Sequence, residues 1–339
     1  MMKKKYQKII VFMPNWLGDI IMALPVLDNL FQDFSKSKIS IVCQEKFSEI
    51  FEGISYIDEI ITFQKEKKYK TKLIKILSIK KMDLGILLTN SFSTSYIFFR
   101  AKIRERIGYK KDFRSFLLTK KMKFPRCVKN IHQVDIYKKL LTLLDVKIFK
   151  NHPKLYLKEE SFLLAKRRLK NLNVSFDKPI IGINPTAAYG ITKCWPEENF
   201  KKLTEKLLLK NYQIIFFGDQ NSKGAVKNIV RNFTKNVIDL SGKTTISELI
   251  SIISLLDCFI SNDSGPMHIA SALNIRVLAI FGSTSPNHTK PFNGSEIVYN
   301  NEKCSPCFKK TCKKGLLCMK NIKVDKIYEK IKKMLDQNV

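Results

Sequence analysis

The stretch that decides the fold is Ser261-Asn262-Asp263-Ser264-Gly265-Pro266-Met267-His268. It follows a mostly apolar run, Leu255 to Ile260, and opens onto Ile269, Ala270, Ala272 and Leu273. That order predicts a strand, a tight turn and a helix N-terminus. Pro266 suits the first helical position, where an N–H would have no partner. Asp263 or Ser264 can cap the free amides of the first turn. Such a turn aims backbone N–H groups and the positive end of a helix at one spot, which suits a diphosphate. The plainer alternative is an ordinary capped helix.

The same strand–helix alternation extends in both directions. Upstream, strands are expected at Lys8–Met13, Ile39–Cys43, Glu59–Phe63 and Leu84–Leu88, with helices at Ile20–Phe34, Tyr69–Ile79 and Val134–Leu144. In the second half, strands are expected at Pro179–Asn184, Gln213–Phe217, Val237–Leu240, Cys258–Ser261, Arg276–Phe281 and Glu296–Tyr299. Helices fit between them at Glu197–Lys210, Ser222–Phe233, Ile246–Leu255 and Pro266–Leu273. Alternation of this kind builds parallel sheets covered by helices. The 339 residues are enough for two such domains. A Lys-rich, helix-patterned segment from Lys158 to Lys178 marks the boundary. We therefore expect domains at 1–170 and 171–324, followed by an amphipathic helix at 325–339 (Ile327, Ile331 and Leu335 apolar) that braces the chain. The expected ligand site is a cleft lined by the C-terminal strand ends of both sheets.

Composition narrows the function classes. Apolar residues make up 45% of the chain, so it is globular. Its net charge is +31, and residues 1–150 hold 31 Lys and Arg against 14 Asp and Glu, so the charge is spread along the chain. A charge of this size favours anionic partners, although a codon bias toward Lys, Ile, Asn and Phe also contributes. No nucleic-acid module is evident, and none is expected as a partner. No apolar run reaches the ~18–20 residues of a membrane span. Lys3–Lys5 followed by Ile9–Met13 superficially resembles a signal peptide, but Pro14-Asn15 breaks the run and a buried first strand is expected instead. Neither G-x-G-x-x-G nor G-x-x-x-x-G-K-[ST] occurs, which argues against a standard dinucleotide oxidoreductase and a P-loop hydrolase.

Several loops at predicted strand ends carry residues suited to chemistry. In Asn15-Trp16-Leu17-Gly18-Asp19, Gly18 permits an unusual backbone or a close approach. Asp19 can take a proton from a hydroxyl or cap its helix. In Thr186-Ala187-Ala188-Tyr189-Gly190-Ile191-Thr192-Lys193, small residues can wrap a phosphate and Lys193 can serve as a point charge or stay in solvent. Asp219 can meet a ribose hydroxyl or serve as a turn residue. His268 can donate to a phosphate, whereas His132 is expected to be structural. Cys304, Cys307, Cys312 and Cys318 place four thiols in fifteen residues. A structural zinc, inert thiols and a local disulfide all remain open, and the interleaved lysines favour thiolate character.

Taken together, Pro14–Asp19, Asn184–Thr186 through Lys193–Pro196, Phe217–Asp219, Ser261–Ala270 and Phe281–Pro286 resemble the bacterial ADP-heptose:lipopolysaccharide heptosyltransferases, glycosyltransferase family 9. The resemblance runs from about residue 8 to 320. With Pro306-Cys307-Phe308, the cysteine cluster resembles the heptosyltransferase II branch in particular. The resemblance implies a GT-B fold, with two Rossmann-like domains whose parallel sheets face each other across a cleft. It implies ADP-L-glycero-β-D-manno-heptose as donor, bound by the second domain, and the first heptose on Kdo-lipid A as acceptor, bound by the first. It implies inversion at the anomeric carbon with no cofactor and no catalytic metal.

The resemblance also assigns roles. Asp19 corresponds to the general base and Lys193 to the basic residue at the donor diphosphate. Thr186, Ala187, Asp219, Asp263, Ser264, Gly265 and His268 fall on the donor side. Asn15, Trp16, Gly18, Asn90 and Arg114 fall on the acceptor side. Cys194 departs from the branch, which has Arg there, and the segment after Asp219 is not a close match. A cytoplasmic enzyme peripheral to the inner face of an anionic inner membrane is implied. Heptosyltransferase I, or another nucleotide-sugar transferase on the same fold, is the alternative. A noncatalytic nucleotide-sugar or lipopolysaccharide binder is a rival from a different class.

Overall fold

The computed structural model describes residues 6–336. The chain divides into two compact units between Tyr156 and Leu157. The first runs β1 (Lys8–Phe12), α1 (Leu17–Asp33), β2 (Lys38–Gln44), β3 (Ile57–Phe63), α2 (Tyr69–Lys80), β4 (Leu84–Leu87), α3 (Phe92–Arg100), β5 (Glu105–Lys110), β6 (Lys120–Lys123) and α4 (Gln133–Lys139). Its six strands are all parallel, in the order β3-β2-β1-β4-β5-β6.

The second unit runs α5 (Glu159–Asn171), β7 (Ile180–Asn184), α6 (Glu197–Leu208), β8 (Gln213–Phe216), α7 (Lys223–Val230), β9 (Val237–Asp239), α8 (Ile246–Ile253), β10 (Cys258–Asn262), α9 (Gly265–Ala272), β11 (Arg276–Phe281), α10 (Pro286–Thr289), β12 (Glu296–Tyr299), α11 (Leu317–Lys320) and α12 (Val324–Asp336). Its sheet order is β12-β11-β10-β7-β8-β9, again wholly parallel. Numbered within its own unit, each sheet reads 3-2-1-4-5-6. Strand order reverses between β1 and β4 in the first unit and between β7 and β10 in the second, and ligands of such sheets bind outside the strand ends at that reversal.

The central strands are continuous apolar runs because both faces are covered by helices. In β7 and β10 every residue is buried. Helix α12 lays Ile327, Ile331, Met334 and Leu335 on the second core, as its spacing predicts. Burying each such side chain contributes about 1.5–3 kcal/mol. Trp195, 1% exposed, joins the same core and donates its indole N–H to the Ile322 carbonyl at 3.0 Å.

The sequence reading missed α3, β5 and β6. Strand β5 interleaves Glu105, Arg106 and Lys110 with apolar residues, and β6 is a short, Lys-rich edge strand of the kind that resists unwanted pairing. Gly85 in β4 lets α3 approach: a Cβ there would lie 2.6 Å from the Phe98 ring. The division between units also falls earlier than the expected residue 170. Helix α5 belongs to the second unit, where Arg168 donates to Glu248 of α8 at 2.5 Å and to the Lys243 carbonyl at 2.7 Å. Among the described residues no helix is long and apolar enough to cross a membrane.

Candidate functional site

In the first unit, the residues after β1 and β4 flank the strand-order reversal. Helix α1 begins at Leu17, so Asp19 sits inside its first turn and Gly18 is helical, which removes the unusual backbone from its two expected uses and leaves the close approach. The N-cap is Trp16, which makes no side-chain cap. The half-buried Asp19 carboxylate instead accepts a hydrogen bond from the Tyr137 hydroxyl of α4 at 2.9 Å. Burial raises the Tyr137 phenol well above its ordinary range, and the charge and hydrogen bond of Asp19 raise it further. Tyr137 therefore remains a proton donor at any working pH and orients the carboxylate.

Asn15 is tied through its Oδ1 to the Gln44 amide at 2.9 Å, and the Trp16 side chain is 58% exposed. Asn90, after β4, accepts from Arg114 at 3.1 Å. Arg114, expected on the acceptor side, lies in the interior of the first unit. It is fully buried and donates to the carbonyls of Thr89 (2.6 Å) and Tyr109 (2.9 Å) and to the Ser95 hydroxyl (3.3 Å). Burial lowers its pKa to about 10. Its bond to Asn90 Oδ1 sets the orientation of that side chain. His132 is structural, as expected: it caps α4, its Nδ1 accepting from the Val134 amide at 3.3 Å.

In the second unit, two asparagines close the adjacent ends of β7 and β10. Asn184 donates to the Thr186 carbonyl (2.8 Å) and to Ser264 Oγ (3.0 Å). Asn262 donates to the Pro185 carbonyl (2.7 Å) and accepts from the Trp195 amide (3.0 Å). These bonds lock the loops 185–195 and 263–265 to each other. Helix α9 begins at Gly265 with Pro266 in its first turn, as predicted, but neither Asp263 nor Ser264 caps it with a side chain. Ser264 Oγ also lies 3.0 Å from Ser261 Oγ.

Asp263 turns to a different set of partners. Its Oδ2 lies 2.6 Å from Lys193 Nζ and accepts from Thr284 Oγ1 at 2.6 Å, and its Oδ1 accepts from Thr289 Oγ1 at 3.2 Å. The side chains of Lys193 and Asp263 are 13% and 4% exposed. Burial alone would raise the pKa of this carboxyl. The Lys193 charge and hydrogen bond, the Thr284 hydroxyl and the nearby His268 overcome that and hold it below the usual carboxylate range. Lys193 is thus an ion-paired, largely buried cation and not the solvated lysine of its plainer reading. An ammonium has three donors, of which Asp263 takes one.

The remaining expected residues are placed as follows. Thr186, half-buried beside the half-buried Ala187, shares a 2.7 Å hydrogen bond with Ser222. Asp219 is exposed at its turn, where its Oδ1 accepts from the Ser222 amide (2.9 Å) and hydroxyl (2.5 Å). His268 is buried in α9. Sequence reasoning missed Tyr137, Thr284 and Thr289. Thr284 was within reach, because it belongs to the Phe281–Pro286 string. Tyr137 carries no motif and is found only through the packing of α4 on α1.

Cys304, Cys307, Cys312 and Cys318 line one cavity of about 270 Å³ with Thr192 and Ser283. All four are free thiols, and among the described residues no three His, Cys, Asp or Glu side chains form a metal-holding group. The Cys312 pKa is lowered first by the backbone amides of Leu316 and Lys314 and then by the Lys314 and Lys309 charges, while burial raises that of Cys318. The loop is a buttress for Lys193. Phe308 O and Lys309 O accept from Tyr189 (2.6 Å) and Thr192 (2.5 Å). Gly190, at φ +146, passes so close that a Cβ would lie 2.9 Å from the Lys310 carbonyl.

Two Rossmann-like units in series, each with its polar loops at the strand-order reversal, give this chain the GT-B fold. A family model, glycosyltransferase family 9 (heptosyltransferase), matches residues 70–317. The chain belongs to that family. It is 31% identical to lipooligosaccharide heptosyltransferase 2 of Campylobacter jejuni serotype O:6, over 96% of this chain and 99% of the relative. It shares its fold with the structure of E. coli ADP-heptose lps heptosyltransferase II (TM-score 0.84, 23% identity, 98% and 99% of the two chains covered). It also shares it with a glycosyltransferase family 9 structure from Veillonella parvula (TM-score 0.86, 24% identity, 99% of each chain covered).

Proposed function

We propose that this protein transfers a heptose from ADP-L-glycero-β-D-manno-heptose to the first heptose of a lipopolysaccharide inner core, Kdo-lipid A-heptose, in a single inverting displacement. The likeness to heptosyltransferase 2 over nearly the whole chain supports the substrate pair. The observation that carries the mechanism is the Asp19 carboxylate, oriented by the Tyr137 hydroxyl at the C-terminal end of β1.

In this reading the acceptor hydroxyl gives its proton to Asp19 as its oxygen attacks the anomeric carbon. The bond from that carbon to the diphosphate oxygen breaks, and ADP leaves. One carboxylate suffices because ADP departs as a stable anion, whereas glycosidases need a second carboxyl group to protonate the leaving oxygen. The two ammonium donors of Lys193 beyond the one given to Asp263, with the first-turn amides of α9, hold the diphosphate as its charge grows. Thr186, Ala187, Ser264, Gly265 and His268 complete the donor side, with Asp219 toward the ribose. Asn15, Trp16, Gly18 and the Arg114-anchored Asn90 serve the acceptor. The reading calls for no cofactor and no catalytic metal, and places the enzyme in the cytoplasm at an anionic membrane that carries its acceptor.

The test is incubation with ADP-heptose and a panel of truncated core acceptors, followed by mass spectrometry of the glycolipid. Addition of one heptose only to the acceptor already carrying one is expected. Transfer to heptose-free Kdo-lipid A, or transfer from another nucleotide sugar alone, contradicts the assignment.

A further inference from the structure

Three phenylalanines at one end of the first unit stand in solvent. Phe113 is 93% exposed, Phe116 71% and Phe92 43%. Phe113 and Phe116 lie on the connection that leaves the C-terminal end of β5, and Phe92 opens the helix that follows the C-terminal end of β4. The Phe92 and Phe116 rings are 6.2 Å apart, so they form one patch. This is the same end of the sheet that carries Asp19 and Asn90, because every strand in it is parallel.

The tip is bent to present this surface. Asp112 (φ +51) and Phe113 (φ +56) are consecutive left-handed residues, and neither is glycine. A bulky side chain rarely adopts that conformation, and here it directs an aromatic ring into water. Around the tip the charge is one-sided. Residues 110–129 contain eight Lys and Arg and a single acid, Asp112. Of these cations, Lys110, Lys111, Lys121, Lys123 and Arg126 are exposed, whereas Arg114 is buried. Lys110 and Lys123 are the paired last residues of β5 and β6. Lys121 donates to the Ser115 carbonyl at 3.1 Å, and Lys111 lies 4.5 Å from the Phe124 ring centre, so cations and aromatics share the surface.

We propose that this tip docks on an anionic lipid bilayer, with Phe113 and Phe116 entering the headgroup layer and the surrounding lysines facing lipid phosphates. The proposal rests on the transfer reading for one point, that the acceptor is a glycolipid. The chemistry of the surface is independent of it. A lone basic patch or a lone aromatic gives weak, reversible binding, whereas apolar insertion and anionic attraction reinforce each other. Each Lys or Arg near an anionic leaflet strengthens binding ~5-fold. A single-stranded nucleic acid would need flat aromatic platforms for its bases, and the Phe92 and Phe116 rings are tilted by 54°. Docking at this end brings the glycolipid headgroup to the strand ends that hold Asp19.

The test is sedimentation of the full chain with vesicles of phosphatidylethanolamine and phosphatidylglycerol, against vesicles of phosphatidylcholine. Salt-sensitive binding to the first and little to the second is expected. The double variant Phe113→Ser/Phe116→Ser should lose ~10-fold or more of its partition, by the scaling of binding with inserted apolar area. Lys110→Glu/Lys123→Glu should lose ~25-fold or more, since two attractive charges become repulsive. All four side chains are exposed, so thermal unfolding and turnover on a delipidated, water-soluble core saccharide should match the wild type. Equal partition of either variant and the wild type, or equal wild-type binding to phosphatidylcholine, overturns the proposal, as does a variant loss confined to an RNA oligonucleotide. Failure of the wild type to glycosylate the soluble saccharide would instead overturn the transfer reading and leave the vesicle result standing.

Discussion

Replacing Lys193 by Met removes the charge that neutralises Asp263 while keeping an unbranched side chain of similar length. The carboxylate left behind is 4% exposed and retains the Thr284 and Thr289 hydroxyls and the nearby His268, but no ammonium. Breaking a buried ion pair from one side costs about 3–5 kcal/mol. The variant has one escape, which is to protonate Asp263. From an unfolded value of about 3.9, protonation costs about 1.4 kcal/mol per pH unit, hence ~4 kcal/mol at pH 7 and ~1.5 kcal/mol at pH 5. The penalty is therefore capped, and the cap falls with pH.

In the wild type the sign is opposite. The Asp263 pKa is depressed in the folded state. Its contribution is present above about pH 3.9 and is lost only as pH falls through the lower folded value. Between pH 5 and 8 the wild-type term is constant, so the difference between the proteins reports the variant alone. For a unit of this size ~2–4 °C accompanies each kcal/mol, so the variant should lose up to ~8–16 °C at pH 7 and ~3–6 °C at pH 5. Differential scanning fluorimetry of both proteins across this range is the assay. A loss that does not change with pH, or one below ~2 °C at pH 7, would show that the pair is not the buried, charge-compensated contact described.

Other outcomes follow from single contacts. Tyr137→Phe removes the hydroxyl that orients Asp19, and kcat should fall ~10-fold with little change in KM for ADP-heptose, within the ~10²–10⁴ that a positioned base contributes; an unchanged kcat would remove Tyr137 from the mechanism. Arg114→Leu leaves the buried Thr89 and Tyr109 carbonyls without this donor and releases Asn90, and the first unit should lose ~2–6 kcal/mol in urea unfolding, from a cost of about 1–3 kcal/mol for each of the two buried carbonyls. A soluble-acceptor KM that rises only in the same proportion as Asn90→Ala raises it would agree with a role exerted through Asn90. Ile331→Ala on α12 opens a cavity in the second core and should cost about 2–5 kcal/mol; a cost under 0.5 kcal/mol would mean that the helix is not the brace described.

Much of the architecture was legible in residue pattern. The apolar runs of β7 and β10 admit only buried strands, and the Pro266 turn places a helix start immediately after β10. What pattern could not supply was the destination of each polar side chain. Asp263 reads as a cap because its position after a strand suits one, yet the adjacent β11 loop brings Thr284 within 2.6 Å, and a buried cation outcompetes backbone amides for a carboxylate. Arg114 carries no sign of burial in its sequence, since arginines are seldom fully buried. Its fork instead satisfies four oxygens in a corner where Gly108 leaves room, a Cβ there lying 3.0 Å from its guanidinium. Tyr137 was invisible because its partner is 118 residues away. Strand β6 was missed because edge strands are selected to look unlike strands, and β5, though paired on both sides, because Glu105, Arg106 and Lys110 break its apolar run.

The central claim is that Asp19 takes the proton of the attacking hydroxyl while the second unit alone holds ADP. The most direct measurement pairs single-turnover heptose transfer with calorimetric ADP binding for the wild type and Asp19→Asn. Transfer reduced by at least ~10³-fold with an ADP affinity unchanged within error is the expected result. Transfer within ~10-fold of wild type, or parallel loss of ADP binding, would remove Asp19 from the role of base.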